Sequence, residues 1–259
     1  MPEIVADGCR LSYSVNGWER KPALLLSNAL GATRALWDSQ LPAFAQHFRL
    51  IRYDTRGHGT SSAPAGEYTI DQLGRDVLAI LDDAGIARAH VCGLSLGGLI
   101  AIWLAHHAPT RVSKIVLANT AARIGSAAMW QERVDLVKTR GLEAIAETAP
   151  PRWFTEAFCR QHPSVVADCR RMLLGCSPNG YAACAAALRD ADLRASLGGI
   201  AAPTLVMAGA FDPVTPPADA AALCAGIAGA RGVELAAAHF SNIERAASFN
   251  DAVVEFLHG

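Results

Sequence analysis

The chain has 259 residues, 51% of them hydrophobic and 18% charged, with a formal net charge of −1. That length supports one large α/β core, and the near-neutral charge offers no basic surface for a phosphate backbone, which excludes nucleic acid as an expected partner. No apolar run approaches the roughly 20 residues that cross a bilayer, and the first seven residues lack a basic stretch followed by an apolar one. The chain is therefore expected in the cytoplasm, without a membrane partner. Seven cysteines, an odd number with no C-x-x-C pair, point to neither a disulfide framework nor a zinc site. No metal and no cofactor is expected.

Along the chain, residues 23–26, 50–53, 89–92, 114–118 and 204–208 form short continuous apolar runs, the pattern of strands covered on both faces. Helical repeats lie between them. The best marked begins at Thr69, where Thr69-x-x-Gln72 makes a capping box ahead of Leu73, Val77, Ile80 and Leu81. This alternation predicts an α/β fold with a mostly parallel sheet and right-handed crossovers. Residues 121–196 break the rhythm, being rich in Ala, Arg, Trp and Met at helical spacing with no convincing strand. They are expected to form a helical cap inserted into a core of residues 1–120 and 197–259. The alternation resumes at 200–208, continues through 232–235 and ends in an amphipathic helix near 251–257.

The strand at 89–92 runs straight into Gly93-Leu94-Ser95-Leu96-Gly97-Gly98, and helical spacing follows at Leu99, Ile100, Trp103 and Leu104. A bare G-x-S-x-G arises easily in a chain this rich in glycine and serine. Its context is the informative part, because a strand, a sharp turn and a helix meeting at one serine lift that hydroxyl above the sheet, next to the free N–H groups of a helix start. Ser95 is the candidate nucleophile. A serine hydroxyl needs a base at neutral pH, and imidazole suits that range.

Two later strands supply candidates. Asp212 follows residues 204–208, and His239 follows residues 232–235, so both stand at the carboxyl ends of parallel strands, on the same rim as Ser95. Taken singly, Asp212 reads equally well as a turn acid beside Pro213, and His239 as an ordinary histidine. Together the chain order Ser95, Asp212, His239 is the order an α/β-hydrolase sheet requires. The other seven histidines lack this placement. The loop Ser27-Asn28-Ala29-Leu30-Gly31, at the end of the 23–26 strand, is expected to offer the Ala29 N–H, and the nucleophile turn the Leu96 N–H, as an oxyanion hole. Asp54-Thr55-Arg56-Gly57-His58-Gly59-Thr60-Ser61 lacks both G-x-x-x-x-G-K-[ST] and G-x-G-x-x-G, and reads as a scaffold turn, not a phosphate loop.

These motifs, with Asp212-Pro213-x-Thr215-Pro216 and His239-x-Ser241-Asn242-x-Glu244, resemble the 3-oxoadipate enol-lactonase family over nearly the whole chain. Ser27-Asn28, where most hydrolase relatives carry His-Gly, and the run from His239 to Glu244 are the more particular features. Arg245-Ala246 departs from the Gln-Pro that the family often has there. The resemblance implies an α/β-hydrolase fold with an eight-stranded sheet, and hydrolysis of an anionic enol-lactone to 3-oxoadipate through an acyl-enzyme on Ser95. It also implies a partner for the substrate carboxylate. Trp130 and Arg133, three apart on an expected cap helix, are candidates for that role, with Ser27 and Asn28 as further substrate-binding candidates. The competing readings are a carboxylesterase, a C–C bond hydrolase, a perhydrolase, or a ligand-binding receptor on the same fold. The oligomeric state is left open, a homo-oligomer among the options.

Overall fold

The computed structural model describes residues 2–259. Eight strands, β1 (Glu3–Ala6), β2 (Cys9–Asn16), β3 (Ala23–Ser27), β4 (Arg49–Tyr53), β5 (Ala89–Leu94), β6 (Val112–Ala118), β7 (Thr204–Gly209) and β8 (Arg231–Leu235), form one sheet in the order β1-β2-β4-β3-β5-β6-β7-β8. The pairs from β4 to β8 are parallel, and only β1 and β2 run antiparallel to their neighbours. Leu24, Leu25, Leu26, Leu50, Ile51, Val91 and Cys92 are wholly buried, as continuous apolar strands between two helical layers should be.

The β1–β2 hairpin was not among the strands expected from apolar runs, because β1 alternates exposed and half-buried residues and β2 mixes buried with exposed ones. Its signal is Asp7-Gly8. Both residues have positive φ, 47° and 70°, which is the two-residue turn that such a dipeptide favours. The capping box at Thr69 is present on both sides and starts the Ile70–Asp83 helix. The last helix, Ala246–His258, begins about a turn and a half before the expected position.

Between β6 and β7 the described residues contain no strand. Six α-helices occupy this stretch, the longest being Ala127–Arg140, Pro163–Leu174 and Pro178–Asp190. The alanine-dense face of Pro178–Asp190, with Ala182, Ala183, Ala185, Ala186 and Ala187 all buried, lets the Ala127–Arg140 helix approach closely. No helix among the described residues is long and apolar enough to cross a membrane.

The segment around Arg56 is a scaffold turn. Arg56 is 1% exposed and makes a bidentate pair with Asp76, both bonds 2.6 Å, while its guanidinium lies over the Tyr68 ring. His58 Nε2 accepts the Gly31 N–H at 2.9 Å, tying this turn to the loop after β3. Because a buried charge stripped of its partner cannot be rehydrated, Asp76→Ala should cost about 3–5 kcal/mol. Arg10→Ala, which removes the half-exposed Arg10–Glu3 pair, should cost less than about 1 kcal/mol. Urea denaturation midpoints check both, and similar losses for the two variants would contradict this ranking.

Candidate active site

Ser95 joins β5 to the Leu96–His107 helix with φ 58° and ψ −116°, a conformation that non-glycine residues rarely adopt. The surroundings hold it there: the Ser95 N–H donates to Ala118 O at 3.0 Å, and Thr120 Oγ1 donates to Ser95 O at 2.7 Å. The turn also depends on two close approaches. A Cβ on Gly93 would lie 2.1 Å from Gly97 O, and one on Gly97 would lie 2.1 Å from Ser27 O. Gly97 thus allows the helix that starts at Leu96 to seat directly against the end of β3. The amides of Ala29 and Leu96 donate to no other group among the described residues, and Ala29 and Ser95 line one cavity.

Asp212 sits just beyond β7 and is 3% exposed. Its Oδ1 accepts the N–H groups of Val214 (2.8 Å) and Thr215 (3.1 Å). Its Oδ2 accepts from Thr215 Oγ1 (2.7 Å), Asn119 Nδ2 (3.0 Å) and His239 Nδ1 (2.8 Å). Five donors around one carboxylate leave it no reason to bind a proton. Burial pushes the Asp212 carboxyl up, but the imidazolium charge of His239 and the hydrogen bonds from His239, Asn119 and Thr215 outweigh it and hold the group at about 2.

Because an ionised carboxylate only accepts, His239 Nδ1 carries the hydrogen, and neutral His239 keeps its lone pair on Nε2. His239 lines the same cavity as Ser95. No hydrogen bond joins Ser95 Oγ to His239 Nε2 among the contacts of the described residues, a looseness common in the absence of substrate.

Asn119, which the sequence reading passed over, and Glu244, which it named only within the run from His239, support this pair. Asn119, at φ 45° just past β6, donates to Asp212 and to Ala238 O (3.2 Å), and its Oδ1 accepts from Ser241 Oγ. Glu244 accepts the Ala238 N–H at 2.9 Å and the Thr155 hydroxyl and N–H, so it ties the loop carrying His239 to the helices between β6 and β7. Thr215 had a local signal in its spacing from Asp212. Asn119 had none, since its partners lie 93 and 119 residues away.

Trp130 and Arg133 both line the cavity. Trp130 Nε1 donates to Ile124 O at 2.6 Å, and the Arg133 guanidinium lies 5.3 Å from the Trp130 ring centre. A second arginine, Arg152, lines the cavity too and was not anticipated. Ser27 and Asn28, the further substrate-binding candidates, are not among the residues that line the cavity. Both are wholly buried beneath the cavity lining, with Ser27 Oγ bonded to Tyr53 OH (2.7 Å) and Asn28 bonded to Tyr53 O (2.6 Å) and Trp37 Nε1 (2.9 Å). These bonds hold the start of the loop that carries Ala29.

The depressed Asp212 carboxyl sets an acid limit. A carboxyl lowered from its ordinary value of 3.8 to about 2 contributes stability that is present above pH 4 and lost as the pH falls through 2. Asp212→Asn should remove that part of the acid transition, about 2 kcal/mol between pH 4 and pH 2. Denaturant titrations at both pH values check it, and an identical acid dependence in the two proteins would contradict it.

A family model described as the alpha/beta hydrolase fold matches residues 22–139. The chain is 46% identical to 3-oxoadipate enol-lactonase 2 of Acinetobacter baylyi, over 96% of this chain and 94% of that protein. It is 37% identical to 3-oxoadipate enol-lactonase 1 of the same organism, over 93% and 91%. The crystal structure of the enol-lactonase from Burkholderia xenovorans LB400 superposes with a TM-score of 0.98 at 44% identity, covering both chains completely. With an α/β-hydrolase sheet and likeness to enol-lactonases along almost its whole length, this chain belongs to the 3-oxoadipate enol-lactonase family.

Proposed function

We propose that the protein opens the 3-oxoadipate enol-lactone ring to give 3-oxoadipate, the reaction in the name of its relatives, and that this is a step of the β-ketoadipate pathway of aromatic catabolism. The observation that carries this reading is the buried Asp212–His239 pair at 2.8 Å, opening on the cavity that also holds Ser95 and Ala29. We take residues 1–120 and 197–259 as the catalytic core and 121–196 as a cap over it. The reaction belongs in the cytoplasm, where seven unpaired cysteines, five of them buried, stay reduced.

In this reading Ser95 Oγ attacks the lactone carbonyl carbon while His239 Nε2 takes the hydroxyl proton. Asp212 stabilises the imidazolium that forms. The carbonyl oxygen, now an alkoxide, accepts the N–H groups of Ala29 and Leu96, two donors that make no other hydrogen bond among the described residues. Collapse re-forms the carbonyl and breaks the ring C–O bond. The departing oxygen leaves as an enolate, a better leaving group than a simple alkoxide, and takes the proton from His239, which becomes neutral again, before the enol tautomerises to the ketone. The acyl chain stays on Ser95. A water molecule then attacks the ester carbon, His239 accepts its proton, and Ser95 departs with that proton returned.

Purified protein offered the enol-lactone, p-nitrophenyl acetate and a vinylogous 1,5-diketone should turn over the first with by far the highest kcat/KM. Ser95→Ala should lose at least about 10⁴-fold on every substrate. A Ser95→Ala variant that keeps wild-type rates would remove the acyl-enzyme, and preference for the diketone would turn the assignment to C–C bond hydrolysis.

A further inference from the structure

The cavity that holds Ser95 is tight. It encloses about 40 Å³, on the order of three waters, so an acyl chain enters only if one wall gives. Beside it lies a roomier groove of about 530 Å³. Three elements line both spaces. The stretch after β3 gives Leu30 to the cavity and Leu36 to the groove, and the segment after β8 gives Phe240 to the cavity and Ile243 to the groove. The Pro163–Leu174 helix turns Val165, Cys169 and Met172, one face at helical spacing, to the groove, while Leu173 beside them lines the cavity. One layer of side chains therefore divides the two spaces.

We propose that Leu173 sets the length of acyl chain the site accepts, and that the groove behind it is the path a longer, uncharged chain takes once Leu173 is out of the way. This rests on the hydrolase reading above for its reaction, but not for its space. The members of the dividing layer are held differently. Phe240 donates its N–H to Trp153 O at 2.9 Å and stacks on the Trp153 ring at 5.1 Å. Leu30 is followed by Gly31, whose N–H is bonded to His58. The Leu173 side chain, 1% exposed, is held by packing alone, and it presses on the same loop, where a Cβ on Gly31 would lie 2.6 Å from its Cδ1. It can turn to another rotamer without breaking a hydrogen bond. Such a turn admits a short chain, whereas a longer one has to displace the side chain altogether. Beyond it the groove is apolar, with Leu36, Phe158, Val165, Met172 and Ile243, and the exposed carboxylates on its rim, Asp38 and Asp168, are paired with Arg52 and Arg171. An alkyl chain matches that lining.

Offered p-nitrophenyl butyrate and p-nitrophenyl octanoate, the unmodified protein should favour the butyrate in kcat/KM by at least about 10-fold. Four added methylenes fully taken up by an apolar groove are worth about 200-fold at most, so Leu173→Ala should raise the octanoate-to-butyrate ratio by at least about 10-fold and the gentler Leu173→Val by about 3-fold. Val165→Trp, which fills the groove and leaves the cavity wall alone, should cancel that gain in the Leu173→Ala background. Met172→Ala by itself should leave the ratio unchanged. Equal rates on the two esters in the unmodified protein, an unchanged ratio in folded Leu173→Val, or a gain that survives Val165→Trp would overturn the proposal. Calorimetry with the free acids in Ser95→Ala reads the same space without turnover, and adding Leu173→Ala there should tighten octanoate relative to butyrate. That tightening in a protein that hydrolyses no ester would sink the hydrolase reading and keep the groove. Ester hydrolysis whose chain-length profile ignores Leu173 would do the reverse.

Discussion

Everything at this site depends on keeping one carboxylate charged in a place almost without water. An ion moved from water into a protein interior loses its solvation, and only a full set of donors offsets that. Asp212 has such a set: two backbone N–H groups of its own loop, a hydroxyl, an amide side chain and an imidazole. Each donor belongs to a chain segment that the carboxylate thereby orders. The Val214 and Thr215 amides close the loop after β7. Asn119 brings in the end of β6, and His239 the loop after β8. The same bond that stabilises Asp212 also sets the imidazole's tautomer, so the electrostatic requirement and the geometric one are met by a single contact.

Around that centre, the Ala29 and Leu96 amides are placed by a different constraint, that of backbone approach. Gly97 permits the Leu96–His107 helix to press on the end of β3, while Ser27 and Asn28 are bonded into Tyr53 and Trp37 behind it. His58, fully buried, accepts the Gly31 N–H and closes the far side of the same loop. Burial lowers its imidazole, which keeps His58 neutral and its Nε2 free to accept. Polar side chains that resemble substrate contacts in a motif thus serve to hold a backbone amide still.

The helices between β6 and β7 are joined to the core at the catalytic loop itself. Glu244 receives the Thr155 hydroxyl and the Ala238 N–H, and Phe240 donates to Trp153 O. The cavity wall that carries the arginines is consequently anchored to residues flanking His239.

The sequence by itself determined the parallel strands β3 to β8, the Thr69 helix start and the positions of Ser95, Asp212 and His239 just beyond their strands. Each of these has a local cause: apolar continuity, a capping box, or a position just past a strand on the rim that all parallel strands share. The β1–β2 hairpin was legible too, in Asp7-Gly8, although an eye tuned to apolar runs passes over it. Only the tertiary structure decided the roles of Asn119 and Glu244, the place of Arg152 in the cavity wall, and the retirement of Ser27 and Asn28 into the scaffold. Those roles depend on which side chain faces which across separations of tens of residues to over a hundred, and on whether a polar group's bonds are already taken. No spacing along the chain records either, because both are consequences of how the elements pack.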